Sequence, residues 1–302
     1  MDPVFGETYE TSLVDLGEHA FFFREKGPKA APVIILLHGF PQTGAMWRRV
    51  ADLLAARGER RIIIPDLPGY GRSKTIAGVQ AASKRAWAAS LAQLLDHLGV
   101  NQADIVGHDR GGRLAYRFAL DFAEKTRRLA VLDILPTADY WHDIRQRAFA
   151  LKIYHWMFLA QPHPFPETMI SAQSSYYIDS TLMSWSGSHK LDHFEPAALA
   201  QYRANAADQT ILRAMCDDYR ANASIDTAID EADIAAGRKI AAPTLAIWGA
   251  MGLADSTSDF QKSWTRWCEK LDCAGLPSGH FLPEEAPKET AEALDCFFKT
   301  DA

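Results

Sequence analysis

One short stretch of this chain combines a nucleophile with the local geometry to expose it. Gly107-His108-Asp109-Arg110-Gly111 follows the apolar run Ala103-Asp104-Ile105-Val106 and opens a helix-like stretch over 112–120. The order is strand, sharp turn, helix. Such an elbow holds its central residue in a strained backbone and presents the side chain at the mouth of a cleft, with small residues on either side. A serine commonly sits at the centre; here it is Asp109. A carboxylate nucleophile suits attack on a saturated carbon better than attack on an acyl carbon. The competing reading is an aspartate that merely caps the following helix; the strand before it and the helix after it favour the elbow.

Other residues have the types and order to complete a reaction. His280, in Ser278-Gly279-His280-Phe281-Leu282-Pro283 near the carboxyl terminus, is the candidate base. It needs an acid to orient it. Asp133 ends the run Leu129-Ala130-Val131-Leu132, and Asp255 lies a few residues beyond Thr244-Leu245-Ala246-Ile247-Trp248. Both fall between nucleophile and histidine, so chain order leaves both open. His38-Gly39-Phe40-Pro41 follows the first buried strand, where a loop supplies one N–H of an oxyanion hole. The residue after the nucleophile supplies the second, which assigns the Phe40 and Arg110 amides; the His38 side chain braces the loop. Arg110 and Arg113 stand three apart at the start of the elbow helix and share a face. Two guanidiniums at a helix N-terminus would clamp a carboxylate, which points to a small anionic substrate.

The elements that position these groups read as an α/β protein. Val33-Ile34-Ile35-Leu36-Leu37, Ile62-Ile63-Ile64, the elbow strand, Leu129-Ala130-Val131-Leu132 and Thr244-Leu245-Ala246-Ile247-Trp248 are short apolar runs that end at polar residues. Strands of this kind are buried on both faces, so the sheet is mostly parallel. Helix-like stretches between them, such as 84–98 with Trp87, Leu91, Leu94, Leu95 and Leu98 at helical spacing, make it doubly wound. Ligands then bind at the carboxyl ends of the strands. The pattern breaks over 137–238, which is rich in aromatic residues and helix-like, and resumes at Thr244. We read core segments 1–136 and 239–302 with a helical cap, 137–238, inserted between two strands and folded over the site.

Composition bounds the rest. The 302 residues suffice for one large core with an insertion. A net charge of −6 gives no electrostatic reason to expect nucleic acid or an anionic membrane as partner. The acidic start Met1-Asp2-Pro3-Val4-Phe5-Gly6-Glu7 has no apolar signal core, and no apolar run approaches a membrane span. Cys216, Cys268, Cys273 and Cys296 form no CxxC pair and no zinc-ligand spacing, so a reduced cytoplasmic protein is expected. No metal or organic cofactor is implied.

These motifs, together with Asp66-Leu67-Pro68-Gly69-Tyr70-Gly71, Leu132-Asp133-Ile134-Leu135-Pro136-Thr137, Lys152-Ile153-Tyr154-His155-Trp156 and Gly279-His280-Phe281-Leu282-Pro283-Glu284-Glu285, resemble the fluoroacetate dehalogenases of the α/β-hydrolase superfamily. The resemblance runs from about residue 33 to about 298, cap included. The elbow and the His-Gly-Phe-Pro loop are shared with epoxide hydrolases; the arginine pair with Tyr154-His155-Trp156 is more specific. Haloalkane dehalogenases typically place Trp after the nucleophile, where this chain has Arg110. The resemblance implies an α/β-hydrolase fold, with Asp109 as nucleophile, His280 as base and Asp133 as acid. It further implies Arg110 and Arg113 as the carboxylate site, and His155, Trp156 and Tyr219 as hydrogen-bond donors to the departing halide. Tyr154 and Trp185 would wall the pocket, and the family suggests a homodimer. Gly112 departs from the alanine expected in close relatives and should loosen the elbow helix slightly.

The chemistry that follows is hydrolysis of a haloacetate to glycolate and halide through an aspartyl ester. Fluoride is a poor leaving group whose charge develops in the transition state, so neutral donors aimed at it lower the barrier. Two alternatives use the same nucleophile. An epoxide hydrolase would need tyrosines such as Tyr154 and Tyr219 to protonate the ring oxygen. A chloro- or bromoacetate dehalogenase with weak defluorination would differ only in fine pocket geometry.

Overall fold

The computed structural model describes residues 2–56, 58–252 and 257–299. Its strands are β1 (Glu10–Asp15), β2 (His19–Lys26), β3 (Val33–Leu37), β4 (Arg61–Pro65), β5 (Lys74–Thr75), β6 (Ala103–His108), β7 (Thr126–Leu132), β8 (Thr244–Gly249) and β9 (Leu271–Leu276). They form one sheet in the order β1-β2-β4-β3-β6-β7-β8-β9, with the short β5 beside β2. The strands from β4 to β9 along this order pair in parallel. Strands β1 and β5 pair antiparallel to β2, and β2 to β4.

The five apolar runs become β3, β4, β6, β7 and β8. Strand β3 is buried at every position because helices cover both faces of the sheet. Strands β1, β2 and β9 lie outside that pattern for distinct reasons. Edge strands β1 and β9 are largely solvated, so they need little apolar character. Strand β2 buries charge: Arg24 donates to Asp2 at 2.7 Å and to Asp66 at 2.8 Å, pairs that span 22 and 42 residues.

The chain passes from β3 outward to β4 and later returns to β6 on the other side of β3. The strands stay paired out to Leu37 and Gly107, and the loops leaving their carboxyl ends run in opposite directions, opening the crevice where open α/β sheets hold their ligands. The His38 loop leaves one end and Asp109 leaves the other. Between β7 and β8 every regular element is helical, from Thr137–Asp143 to Thr227–Ala235. Among the described residues no helix is long and apolar enough to cross a membrane. All four cysteines are unpaired.

Candidate active site

Asp109 begins the helix Asp109–Asp121 with φ +46°, in the left-handed region that costs a non-glycine residue about 1–3 kcal/mol. That turn lifts its carboxylate off the sheet toward the β3 loop. The Phe40 amide donates to Asp109 Oδ1 at 2.8 Å. The approach is close enough that a Cβ at Gly39 would stand 2.6 Å from Asp109 Cβ, so only glycine fits there. His38 braces this loop as expected: Nε2 accepts the Leu67 amide at 2.8 Å and Nδ1 lies 3.0 Å from the Gly39 carbonyl oxygen. Burial pushes His38 down to about 4, so it stays neutral. The Arg110 amide follows the nucleophile in the first turn of the same helix.

His280 and Asp133 meet across 147 residues, with His280 Nδ1 2.6 Å from Asp133 Oδ2. Asp133 also has positive φ, +50°, immediately past β7, and its Oδ1 accepts the Gly249 amide at 3.0 Å at the end of β8. Two strand ends therefore fix this carboxylate. Asp255, the other candidate acid, lies outside the described residues. The His280 loop is tied down by Glu285, whose carboxylate accepts the Gly187, Gly279 and Phe281 amides at 2.8, 3.0 and 3.0 Å. Burial alone would lower the His280 pKa, but the Asp133 hydrogen bond and the charges of Asp133 and Asp109 raise it. Burial would raise the Asp109 carboxyl, yet the charges of His280, Arg110 and Arg113 hold it well below the ordinary range. Asp109 is therefore ionised.

The helical segment closes the site from above. His155, Trp156, Trp185 and Tyr219 are all buried. Trp185 packs against His155 at 4.4 Å between centroids, Phe40 at 6.2 Å and His280 at 5.5 Å. Tyr219 packs edge-on against Phe40 at 5.3 Å and His155 at 5.8 Å. Trp156 stacks on Tyr140 at 4.6 Å and lies under the Arg113 guanidinium at 4.4 Å. Burial pushes His155 down to about 3 and the Tyr219 phenol well up, so both are neutral donors at physiological pH. Tyr154 does not join them. It is 50% exposed, with its ring edge-on to His155, because consecutive helical residues point about 100° apart.

Arg110 and Arg113 are both buried beside the nucleophile, but neither is free. Arg113 Nη1 donates to the Leu135 carbonyl at 3.0 Å and to Thr137 Oγ1 at 3.1 Å. Arg110 Nε donates to Asp218 Oδ2 at 2.8 Å, and Nη2 also bonds that carboxylate. Several polar atoms in this enclosure are buried with no partner in the protein: His280 Nε2, Arg110 Nη1, Arg113 Nε, His155 Nδ1 and the Tyr219 hydroxyl. Other buried polar atoms of the protein also lack a partner, but here five from several elements gather around one carboxylate, which suits the handling of a small polar molecule. Gly112 is not loose packing: a Cβ there would meet Ile134 Cδ1 at 2.8 Å and the Gly107 carbonyl oxygen at 2.9 Å.

Sequence reasoning missed Asp218, Lys84 and Glu285 as parts of the site. Lys84 carried a signal, since a cation in the first turn of a helix opposes the helix dipole. A cleft of about 730 Å³ bordered by Gly69, Arg72, Thr75 and Arg213 lies on the far side of the Gln209–Ala221 helix and touches none of the catalytic groups.

Residues 32–287 match the model of the alpha/beta hydrolase fold family. A fluoroacetate dehalogenase from Burkholderia sp is 38% identical over 291 residues, 95% of this chain and 93% of that protein. A soluble epoxide hydrolase from Corynebacterium sp. (strain C12) is 30% identical over 268 residues, 88% of this chain and 89% of that protein. A crystal structure described as an alpha/beta hydrolase from Nostoc sp PCC 7120 superposes with a TM-score of 0.91 at 38% identity, covering 97% of this chain and 99% of that one. The chain belongs to the α/β-hydrolase family, and over nearly its whole length it is similar to a fluoroacetate dehalogenase.

Proposed function

We propose that this hydrolase cleaves the carbon–halogen bond of a small haloacetate, fluoroacetate foremost, through an ester on Asp109. The observation that carries the reading is the set of unpartnered buried donors around the nucleophile: Arg110 Nη1 and Arg113 Nε for a carboxylate, His155 Nδ1 and the Tyr219 hydroxyl for a leaving anion. Two charged donors suit the permanent anion, and neutral donors suit the one that forms in the transition state.

The steps follow from the geometry. The Phe40 amide holds Asp109 Oδ1, which leaves Oδ2 to attack the α-carbon. The new C–O bond forms as the C–F bond breaks, and fluoride departs with the bonding pair toward His155, Trp156 and Tyr219. Water then attacks the Asp109 carbonyl carbon while His280 Nε2 takes its proton. Charge collects on Oδ1, already within reach of the Phe40 amide and next to the Arg110 amide. On collapse the departing glycolate oxygen takes the proton from His280 Nε2, and the second proton of the attacking water passes from the Asp109 carboxyl to solvent, which restores the carboxylate.

An epoxide hydrolase is the second reading, favoured by the Corynebacterium relative. Protonating an epoxide oxygen calls for phenols inside the site, and with Tyr154 half exposed Tyr219 would act without it. The test is fluoride release from fluoroacetate by ion-selective electrode, with chloroacetate in a parallel chloride assay and Asp109→Asn as control. Fluoride release that vanishes in the variant supports defluorination. Chloride without fluoride would restrict the activity to weaker carbon–halogen bonds. Neither halide, with turnover of a neutral epoxide, would replace the proposal by the second reading.

A further inference from the structure

Arg110 poses an electrostatic problem. An arginine matched one-to-one with a buried carboxylate is close to neutral as a pair and a poor receptor for a second anion. Asp218 takes two of the Arg110 nitrogens, yet it is shared. The Lys84 ammonium bonds Asp218 Oδ1, and the Tyr70 hydroxyl donates to Oδ2 at 3.1 Å. Lys84 is 2% exposed, and its Nζ lies 3.8 Å over the Trp87 ring. Its backbone amide donates to Asp226 Oδ1 at 2.8 Å. Burial pushes the ammonium down only to about 8, with Asp218 opposing the fall, so it is charged at neutral pH. Asp226 is driven the other way, its carboxyl raised by burial.

The ledger of close contacts is two cations, Arg110 and Lys84, on one carboxylate, Asp218. These direct side-chain contacts leave one cation in excess, the Asp226 carboxyl acting on Lys84 and the Asp109 carboxylate on Arg110 only through space, and Arg110 Nη1 is buried with no partner in the protein. We propose that Lys84 is a positioning residue that, by sharing Asp218, leaves Arg110 enough net charge to hold a monoanionic carboxylate. This rests on the reading of the site as a carboxylate site, and it explains why a costly buried ammonium stands behind a residue it does not replace.

Lys84→Met removes the charge but leaves Arg110 paired with Asp218. Glycolate binding is measured by calorimetry on the intact protein and on this variant, alongside KM and kcat for chloroacetate and for neutral chloroacetamide. The expected result is a roughly tenfold weaker glycolate affinity and higher chloroacetate KM, the scale of one unit charge acting over on the order of 10 Å at an effective dielectric of about 20. The KM effect should exceed the kcat effect, chloroacetamide should be affected less, and Lys84→Arg should recover part of the affinity. Should the Met variant not fold, Lys84→Gln makes the same comparison with a hydrogen bond retained. A folded variant that binds glycolate as tightly as the wild type overturns the proposal and spares the carboxylate reading. A wild type that neither binds glycolate nor turns over haloacetates overturns both.

Discussion

His280 Nδ1 lies 2.6 Å from Asp133 Oδ2, and the opposite ring nitrogen, Nε2, is buried without a partner. The carboxylate thus fixes the tautomer and leaves Nε2 as the basic nitrogen, in a ring that feels the Asp109 charge. Replacing His280 with Asn should stop ester hydrolysis and trap the carboxymethyl adduct on Asp109, seen as a mass increase on incubation with haloacetate. An unmodified, inactive protein would mean that the histidine serves the first step instead.

Asp133→Asn should spare ester formation and slow hydrolysis by up to ~10⁴-fold, since the wrong tautomer is then favoured. Rapid-quench kinetics would show a burst of halide equal to the enzyme present, followed by a slow phase. Loss of the burst would place Asp133 in the displacement step.

The pH dependence has two signs. His280 must be neutral to accept a proton, and its pKa is raised above 6.5, so kcat should fall as pH drops through a midpoint above 6.5. The stability contributed by charged His280 runs the other way: it is complete below 6.5 and lost as pH rises through the raised value. A pH–rate profile whose acid limb lies below 6.5 would contradict the assignment.

Four other buried histidines, His19, His38, His108 and His155, predict acid sensitivity of the fold, burial lowering each. Burial lowers His38 to about 4 and His108 and His155 to about 3. Below 6.5 the unfolded chain binds protons that the folded chain refuses, so each removes up to ~1.4 kcal/mol of stability per pH unit. Urea melts at pH 7.5 and 5.5 should separate by several such increments, partly offset by His280. His38→Gln should flatten the slope.

Tyr219→Phe should discriminate between halides. Losing one donor to a developing anion costs ~10²–10³ in rate, and the loss should be greatest for the poorest leaving group. The kcat ratio for bromoacetate over fluoroacetate should rise. Equal losses for both would assign Tyr219 to packing.

Glu285→Ala should leave three backbone amides without their acceptor, costing about 1–3 kcal/mol and loosening both the His280 loop and the chain after Trp185. Thermal melts and kcat should fall together. Full activity at reduced stability would confine Glu285 to the fold.

The sequence by itself determined the candidate reacting groups and the strand ends that carry them. An elbow motif is local, and five short apolar runs alternating with helix-like stretches read as a parallel sheet, so Asp109, His280 and the His38 loop were legible as candidates without coordinates. The two edge strands were not, because an edge needs no apolar signature. Tertiary structure decided the partners. Helical spacing places Arg110 and Arg113 on one face but says nothing of a carboxylate 108 residues away that occupies one of them. It marks Tyr154-His155-Trp156 as a unit, while the packing of the helix turns Tyr154 outward and its neighbours inward. Burial and charge at those positions are properties of the assembled layers, and they set which groups are ionised, which donors are free and therefore which anion the site can hold.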